Sequence, residues 1–317
     1  MHPAMNVLVT GGAGFIGSHL VDRLVNSGYN VKVLDNLSTG NLSNIKSNID
    51  NGKIDFVKGD ITNLEQVKNC VSGVDVVFHL AAQVSVPLSI KDPAFNFETN
   101  VTGTINLLST LANKNPNGKF ILASSCAVYG DPQKLPADEK TPTNPISPYA
   151  ETKLLGEYYT LGFNQNKLLK TSALRFFNVY GLRQGLNDYS GVITKFIDRI
   201  KQNQPLTVYG DGTQTRDFVH VSNIVDALIA CLENSNAEGE VFNVGTGNAI
   251  TIEDLAKSLI QLSGASCTVN HAPAREGDIK HSYANIAKAQ NKLNYHPTMQ
   301  LSTGLQELLL AANADNR

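Results

Sequence analysis

The sequence predicts an α/β protein, a doubly wound parallel sheet followed by a smaller α/β lobe. Three observations point there. Short apolar runs alternate with longer amphipathic stretches through the first half of the chain. Those runs are nearly continuous in apolar residues, as strands covered on both faces require. A glycine-rich turn, TGGAGFIG (10–17), joins the first run to the first amphipathic stretch. Alternation of this kind builds right-handed strand–helix–strand units into one open sheet.

Taken in order, VLVT (7–10) is a strand and the stretch from Phe15 to Asn26 a helix. VKVLD (31–35) and IDFVKGD (54–60) are strands, and Leu64 to Val71 is a short helix. DVVFHLA (75–81) is a strand, Pro93 to Ala112 a long helix, and KFILASS (119–125) a strand. Residues 131–148 break the rhythm, because five of the twelve prolines fall there, at 132, 136, 142, 145 and 148. A loop of that length is a candidate active-site wall. Ser147-Pro148 then supplies an N-cap and a proline at the first helical position. The helix it opens runs to about Lys167, and TSALRFFNV (171–179) follows as a strand. Beyond Gly181 the elements shorten and polar loops such as YGDGTQTRDF (209–218) appear. The expected division is a nucleotide-binding domain over 1–177 and a substrate-binding lobe over 178–317. Segments near 217–247 are expected to return to the first domain as a helix and a strand.

Composition narrows the function. The chain has 317 residues, 42% hydrophobic and 17% charged, which is globular rather than disordered. Lys+Arg number 26 against 28 Asp+Glu, so there is no basic excess for nucleic acid or an anionic membrane surface. The four cysteines, at 70, 126, 231 and 267, contain no CxxC pair, which excludes a zinc ribbon or a thioredoxin-type motif. No metal is expected. The start lacks the apolar stretch of a signal peptide, and no apolar run approaches a membrane span. The expectation is a soluble, cytoplasmic protein.

Two motifs carry chemistry. Gly11, Gly14 and Gly17 form GxxGxxG between a strand and a helix. Such glycines let the backbone turn tightly and approach a pyrophosphate, whose charge rests on the helix N-terminus, as in a Rossmann domain. Asp35 ends the second strand, where a carboxylate accepts from the adenosine ribose hydroxyls and repels a 2′-phosphate, so NAD is favoured over NADP. Tyr149 and Lys153 lie one turn apart on the helix after the proline-rich loop. An ammonium there should lower the phenol's pKa toward working pH. Ser124 and Ser125 end the strand before the loop, on the crevice side of such a sheet. A Ser–Tyr–Lys set beside a dinucleotide suits coupled proton and hydride transfer.

At this point the chain resembles the extended short-chain dehydrogenase/reductases, and within them the NAD-dependent nucleotide-sugar 4-epimerases acting on UDP-hexoses and UDP-N-acetylhexosamines. The resemblance covers nearly the whole chain. It is carried by TGGAGFIGSH, LDNLSTG, GDI (59–61), HLAA (79–82), NVTGT (100–104), ASSCAVYGDP (123–132), SPYAETK, LRFFNVYG (174–181), GDGTQTRDFVHV (210–221), VFNVGTG and REGD (275–278). It implies that Gly11, Gly14, Phe15, Ile16, Gly17, Asp35, Asn36, Asp60, Ile61, Leu80, Ala81, Ala82 and Asn100 contact NAD, with Tyr149 and Lys153. It implies Tyr149 as the base, Lys153 as its electrostatic partner and Ser125 as the bridge to the sugar O4, with Ser124 beside it. Asn178, Arg216 and Arg275 would hold the nucleotide diphosphate, Asp278 the nucleoside ribose, and Ser282 would line the pocket near the sugar C2 substituent. The family also implies a homodimer through helices 93–112 and 148–167.

Departures from the pattern set the subclass. The family's 4,6-dehydratases carry an Asp-Glu pair in this serine segment, where this chain has Ser125-Cys126-Ala127. The decarboxylases' Glu is absent as well. Uronic-acid epimerases usually read RFFTVYG against RFFNVYG here. Val84 stands where members restricted to plain hexoses often have Lys, and SVPLS (85–89) resembles the N-acetylhexosamine branch. The expected reaction is C4 epimerisation of UDP-glucose and UDP-galactose, together with UDP-GlcNAc and UDP-GalNAc, through a transient 4-keto sugar. The alternatives are a UDP-uronate 4-epimerase or decarboxylase on the same scaffold, or a non-catalytic NAD-binding regulatory protein.

Overall fold

The structure is a computed structural model and describes residues 5–186, 190–274 and 277–314. Its centre is a seven-stranded parallel sheet. Six strands come from the first 176 residues: β1 Asn6–Thr10, β2 Asn30–Asp35, β3 Ile54–Lys58, β4 Val76–His79, β5 Lys119–Ser125 and β6 Lys170–Phe176. The strand Glu240–Val244 pairs beside β6, giving the order Glu240–Val244, β6, β5, β4, β1, β2, β3. The strand order reverses between β1 and β4, and that reversal opens the crevice at the strand C-termini.

The nearly continuous apolar runs now have their explanation. Val7 and Val9 of β1 lie in the core on one face of the sheet, while Leu8 lies in the core on the other. Neither face can carry polar side chains, so alternation is lost. Helix α1, Phe15–Asn26, begins directly at the glycine turn and buries Leu20, Val21 and Leu24.

Several sequence boundaries are corrected. β4 stops at His79, and Leu80 N bonds Thr10 O at 3.1 Å as the chain leaves the sheet. The long helix is one rod in three parts, Pro93–Phe97, a π-helical turn at Glu98–Thr102, and Gly103–Lys114. The strand after β5 is two strands. Phe177 N bonds Val244 O and Asn178 N bonds Asp217 O. The chain is thereby handed from the main sheet to a second pairing of Asn178–Tyr180 with Phe218–His220. The lobe also holds longer helices than the sequence reading placed there. Val192–Lys201, Ile252–Ser263 and Leu301–Ala314 pack around Phe196, Leu206, Leu255 and Leu305.

The proline-rich stretch contains no helix or strand over 131–147. Ala137 joins it to the lobe, with Ala137 N to Tyr283 O at 3.0 Å and Asn285 N to Ala137 O at 2.8 Å. The four cysteines are free thiols. Among the described residues no helix is long and apolar enough to cross a membrane.

Candidate active site

The glycine turn is built so that only hydrogen fits. A Cβ on Gly17 would lie 2.1 Å from the Gly11 carbonyl oxygen, and one on Gly11 would lie 2.7 Å from Ala81 N. Gly11 also has φ +71, the left-handed region. Gly14 caps α1 without any side-chain hydrogen bond, so the first amides of the helix, at Phe15 and Ile16, have no side-chain acceptor. Such a cradle fits a pyrophosphate, which needs close backbone approach and uncapped donors.

Asp35, at the end of β2, is 7% exposed and tied by two backbone donors, Ala13 N at 2.9 Å and Leu37 N at 2.8 Å. Each carboxylate oxygen keeps capacity for a further donor. Asn36 Nδ2 donates to Asp60 Oδ2 at 2.8 Å. Burial works to raise the Asp60 pKa, but hydrogen bonds from Thr62 and Asn36 outweigh it and hold the carboxyl below its usual range. Leu80, Ala81 and Ala82 lie between β4 and Gln83, with Ala81 N donating to Thr10 Oγ1 at 3.3 Å.

The side chains of two expected cofactor contacts, Ile61 and Asn100, are engaged within the protein. Ile61 turns its side chain into the core, where it is the atom set that a Cβ on Gly103 would strike, and its carbonyl accepts from Asn106. Asn100 has no free amide: Oδ1 accepts from Gln83 N, and Nδ2 donates to Gln83 O and Thr152 Oγ1. The π turn swings Asn100 into this buried cluster, where it braces the 81–85 segment against the catalytic helix.

That helix, Pro148–Gln165, starts as its sequence predicts, with Ser147 Oγ accepting from Ala150 N at 3.2 Å and proline in the first turn. Ser89 Oγ accepts from Tyr149 N at 3.1 Å. Tyr149 therefore projects from a fixed first turn, and its phenol lies beside the Ser125 side chain. Ser125 Oγ also accepts from Ala127 N at 3.1 Å. Lys153, one turn on, donates to the Ala123 carbonyl at 2.9 Å.

The electrostatics depart from expectation. Burial pushes the Tyr149 phenol up to about 12, with the neighbouring Ser125 hydroxyl working the other way. Burial also pushes Lys153 down to about 8, opposed by Glu157. Spacing places the ammonium on the right face, but desolvation dominates both groups here. His79 is pushed down to about 3 by burial and by Lys153, so it is neutral. Thr104 Oγ1 donates to Asn100 O at 2.6 Å, so it accepts from His79 Nε2; His79 Nδ1 then accepts from Thr10 Oγ1.

Ser124 is set apart from Ser125. Successive strand residues point to opposite faces. Ser125 faces the phenol, whereas Ser124 is 3% exposed and donates to Glu157 Oε1 at 2.5 Å. It has no hydroxyl left for a sugar on the Ser125 side.

The lobe side brings together most of the remaining candidates. The Asn178 side-chain oxygen is buried without a hydrogen-bond partner. An orphaned acceptor at the lobe boundary fits a ligand donor. Arg216 and Ser282 are register partners on adjacent parallel strands, Thr215–Arg216 and His281–Ser282. Arg216 Nη2 donates to Asp278 Oδ1 at 2.6 Å. The next residue, Asp217, is fully buried and accepts from Thr246, Gly247 and Ala284. Arg216 and Asp217 thus point to opposite sides of their strand. Arg275 lies outside the described residues.

Sequence reasoning missed Cys126. Its thiol lies beside the Ser282 side chain and is pushed up to about 11 by burial, so it is a neutral thiol. This contact links the serine strand of the first domain to the lobe. Its position directly after Ser125 was the available signal. Among the described residues no group of three or more His, Cys, Asp or Glu could hold a metal.

A parallel sheet whose crevice holds a glycine cradle and a Tyr–Lys–Ser set defines an enzyme of the extended short-chain dehydrogenase/reductase class. The chain belongs to the family described as GDP-mannose 4,6 dehydratase, whose model matches residues 8–308. Its relatives of known structure bear out the resemblance read from the motifs. UDP-glucose 4-epimerase from Thermotoga maritima, solved with UDP-glucose, is 36% identical, covers 99% of this chain and 100% of its own, and superposes with TM-score 0.93. UDP-N-acetylglucosamine 4-epimerase from Methanobrevibacter ruminantium, in complex with UDP-N-acetylmuramic acid, is 35% identical with 98% and 99% coverage and TM-score 0.93. UDP-glucuronic acid 4-epimerase from Bacillus cereus, in complex with UDP-glucuronic acid and NAD, is 35% identical with 98% and 99% coverage and TM-score 0.90.

Proposed function

We propose that this protein epimerises UDP-hexoses at C4 with NAD as resident cofactor. The observation that carries the reading is the Tyr149 phenol set against Ser125 at the C-terminal end of β5, with Lys153 one turn on and the glycine cradle in the same sheet crevice. Tyr149 takes the proton of the sugar 4-hydroxyl through a geometry that Ser125 fixes. NAD, when bound, supplies a hydride acceptor at C4 and a positive charge that favours the phenolate. Gly11, Gly14, Gly17 and the amides of Phe15 and Ile16 hold its pyrophosphate, and Asp35 its adenosine ribose. Asn178, Arg216 and Asp278 meet the nucleotide of the substrate, with Arg216 exchanging its carboxylate partner for a diphosphate. Return of the hydride to the opposite face of the turned-over 4-keto sugar, with Tyr149 giving its proton back to O4, would give the epimer with no net redox change. Incubation of the purified protein with a panel of UDP-sugars, followed by sugar analysis, tests the reading.

Dehydration, the reaction in the family's description, is disfavoured by Cys126. Elimination of water asks for an acid and a base in this segment. A thiol pushed up to about 11 is a weak acid at neutral pH.

Asp35 sets the cofactor. Asp35→Ala should weaken NAD binding by about tenfold, ~1.4 kcal/mol, and narrow the preference over NADP. Calorimetric titration of both dinucleotides checks this, and wild type binding them equally would remove the assignment.

Ser282 sets the sugar range. Ser282 and Cys126 lie side by side, and as a wall beside the sugar C2 they would present two small side chains. A small wall leaves volume for an acetamide at C2, so UDP-GlcNAc and UDP-GalNAc join UDP-glucose and UDP-galactose as substrates. Ser282→Tyr should lower kcat/KM for the N-acetylated pair at least about tenfold more than for the plain hexoses. Equal losses on both pairs would remove the gate.

The protein is also expected to form a homodimer through the helices that flank the crevice. Phe95 and Phe97 are about half exposed at 47% and 48%, and Tyr158 and Tyr159 on the catalytic helix are 59% and 44% exposed. Aromatic side chains at that density suit a partner surface. Sedimentation at micromolar concentration checks this, and a monomer there contradicts it.

A further inference from the structure

The catalytic helix carries a third charged residue on its inward face. Tyr149, Lys153 and Glu157 sit at successive turns, so they line one side of the helix. That side meets three consecutive residues of β5. The phenol of Tyr149 meets Ser125. The ammonium of Lys153 donates to the Ala123 carbonyl at 2.9 Å. The carboxylate of Glu157 accepts from Ser124 Oγ at 2.5 Å. From the next strand, β6, Arg175 grips the same carboxylate with Nε at 2.9 Å and Nη2 at 2.7 Å. Glu157 is 1% exposed and Arg175 6%.

A buried ion pair is a weak source of net stability, because desolvation of both ions offsets their attraction. Apolar side chains of similar volume would join helix to strand as well. The charge on Glu157 therefore asks for another role, and the buried ammonium one turn away offers it. We propose that Glu157 is a positioning residue for the catalytic pair, docking Lys153 and Tyr149 on β5 and supplying the counter-charge of the Lys153 ammonium. The proposal rests on the roles of Tyr149 and Lys153 given above.

The groups around Lys153 leave this balance clear. On its own helix are Tyr149 and Glu157, and β4 contributes His79. Arg175 of β6 stands behind Glu157, and Cys126 follows β5 beside Tyr149. His79 at about 3 and Cys126 at about 11 do not change charge near neutrality. Burial pushes Lys153 down to about 8, and Glu157 is the carboxylate that opposes it. Removing that charge makes the ammonium lose its proton at lower pH.

Glu157→Gln keeps the shape and the acceptor for Ser124 but removes the charge. In the NAD-loaded protein the alkaline limb of the kcat profile should move about one pH unit toward acid. KM should change little, since no contact to the nucleotide is lost. Isotope-labelled lysine, with Lys153→Met assigning the resonance, reads the same titration by NMR whether or not a UDP-sugar is turned over. If wild type turns over no UDP-sugar, the proposed function fails and the NMR titration still decides this proposal. A bare Arg175 could unfold Glu157→Gln, so Glu157→Leu/Arg175→Met serves as the second variant, and the same direction of shift is expected. A Lys153 titration unmoved in the variant that folds, even with a lower kcat, overturns the proposal, because it leaves Glu157 a purely structural role.

Discussion

Tyr149→Phe should lower kcat at least about 100-fold while the protein still binds NAD and UDP-sugar. The variant loses the hydroxyl that takes the proton and keeps the ring that fills the crevice wall. Nothing else in the described site replaces it. Ser125 is an alcohol with no base beside it other than the phenol, His79 is held neutral between two threonines, and Cys126 is a thiol pushed up to about 11. Lys153 is set to assist rather than substitute, because its ammonium is turned to the Ala123 carbonyl. Stopped assays with sugar analysis measure the loss. Turnover near that of wild type would mean that another group carries the proton.

Gly17→Ala should remove dinucleotide binding and destabilise the fold. The added methyl would lie 2.1 Å from the Gly11 carbonyl oxygen and 2.8 Å from Gly12 Cα, both backbone atoms of the same turn. No side chain can move aside to relieve it, so the turn and the start of α1 must separate. Overpacking of this kind costs about 1–3 kcal/mol or more. Gly14→Ala is the comparison, since its methyl would stand 3.1 Å from the same oxygen and should be tolerated far better in folding. Thermal unfolding and NAD titration of both variants check the pair. Gly17→Ala with wild-type stability and affinity would contradict the account of the cradle.

The sequence showed these two features because both are local. The glycine turn spans eight residues, and the Tyr–Lys spacing is one helical turn, so neither needs knowledge of distant packing. The parallel, doubly wound class of the main sheet follows from the alternation of strands and helices, whereas its strand order comes from the structure. What stayed hidden depends on residues far apart in the chain. The Ser124 hydroxyl looks available beside Ser125 until Glu157, 33 residues on, claims it. The raised phenol pKa at Tyr149 reflects burial, which spacing does not report. The hold of the Asn100 amide on Gln83 and Thr152 depends on the π turn, which spacing does not show. The lobe helices were obscured by the polar loops between them.

The central claim is epimerisation at C4 by hydride removal and return within one site. The most direct test is to incubate the purified protein with UDP-galactose deuterated at C4 and to analyse the product sugar by mass and NMR. The account predicts UDP-glucose of unchanged mass, with the deuterium still at C4 and no net reduced cofactor released. Repeating the incubation with UDP-GlcNAc should yield UDP-GalNAc. Loss of water or carbon dioxide from any UDP-sugar, escape of the label into the cofactor pool, or turnover of none of the four sugars would contradict it.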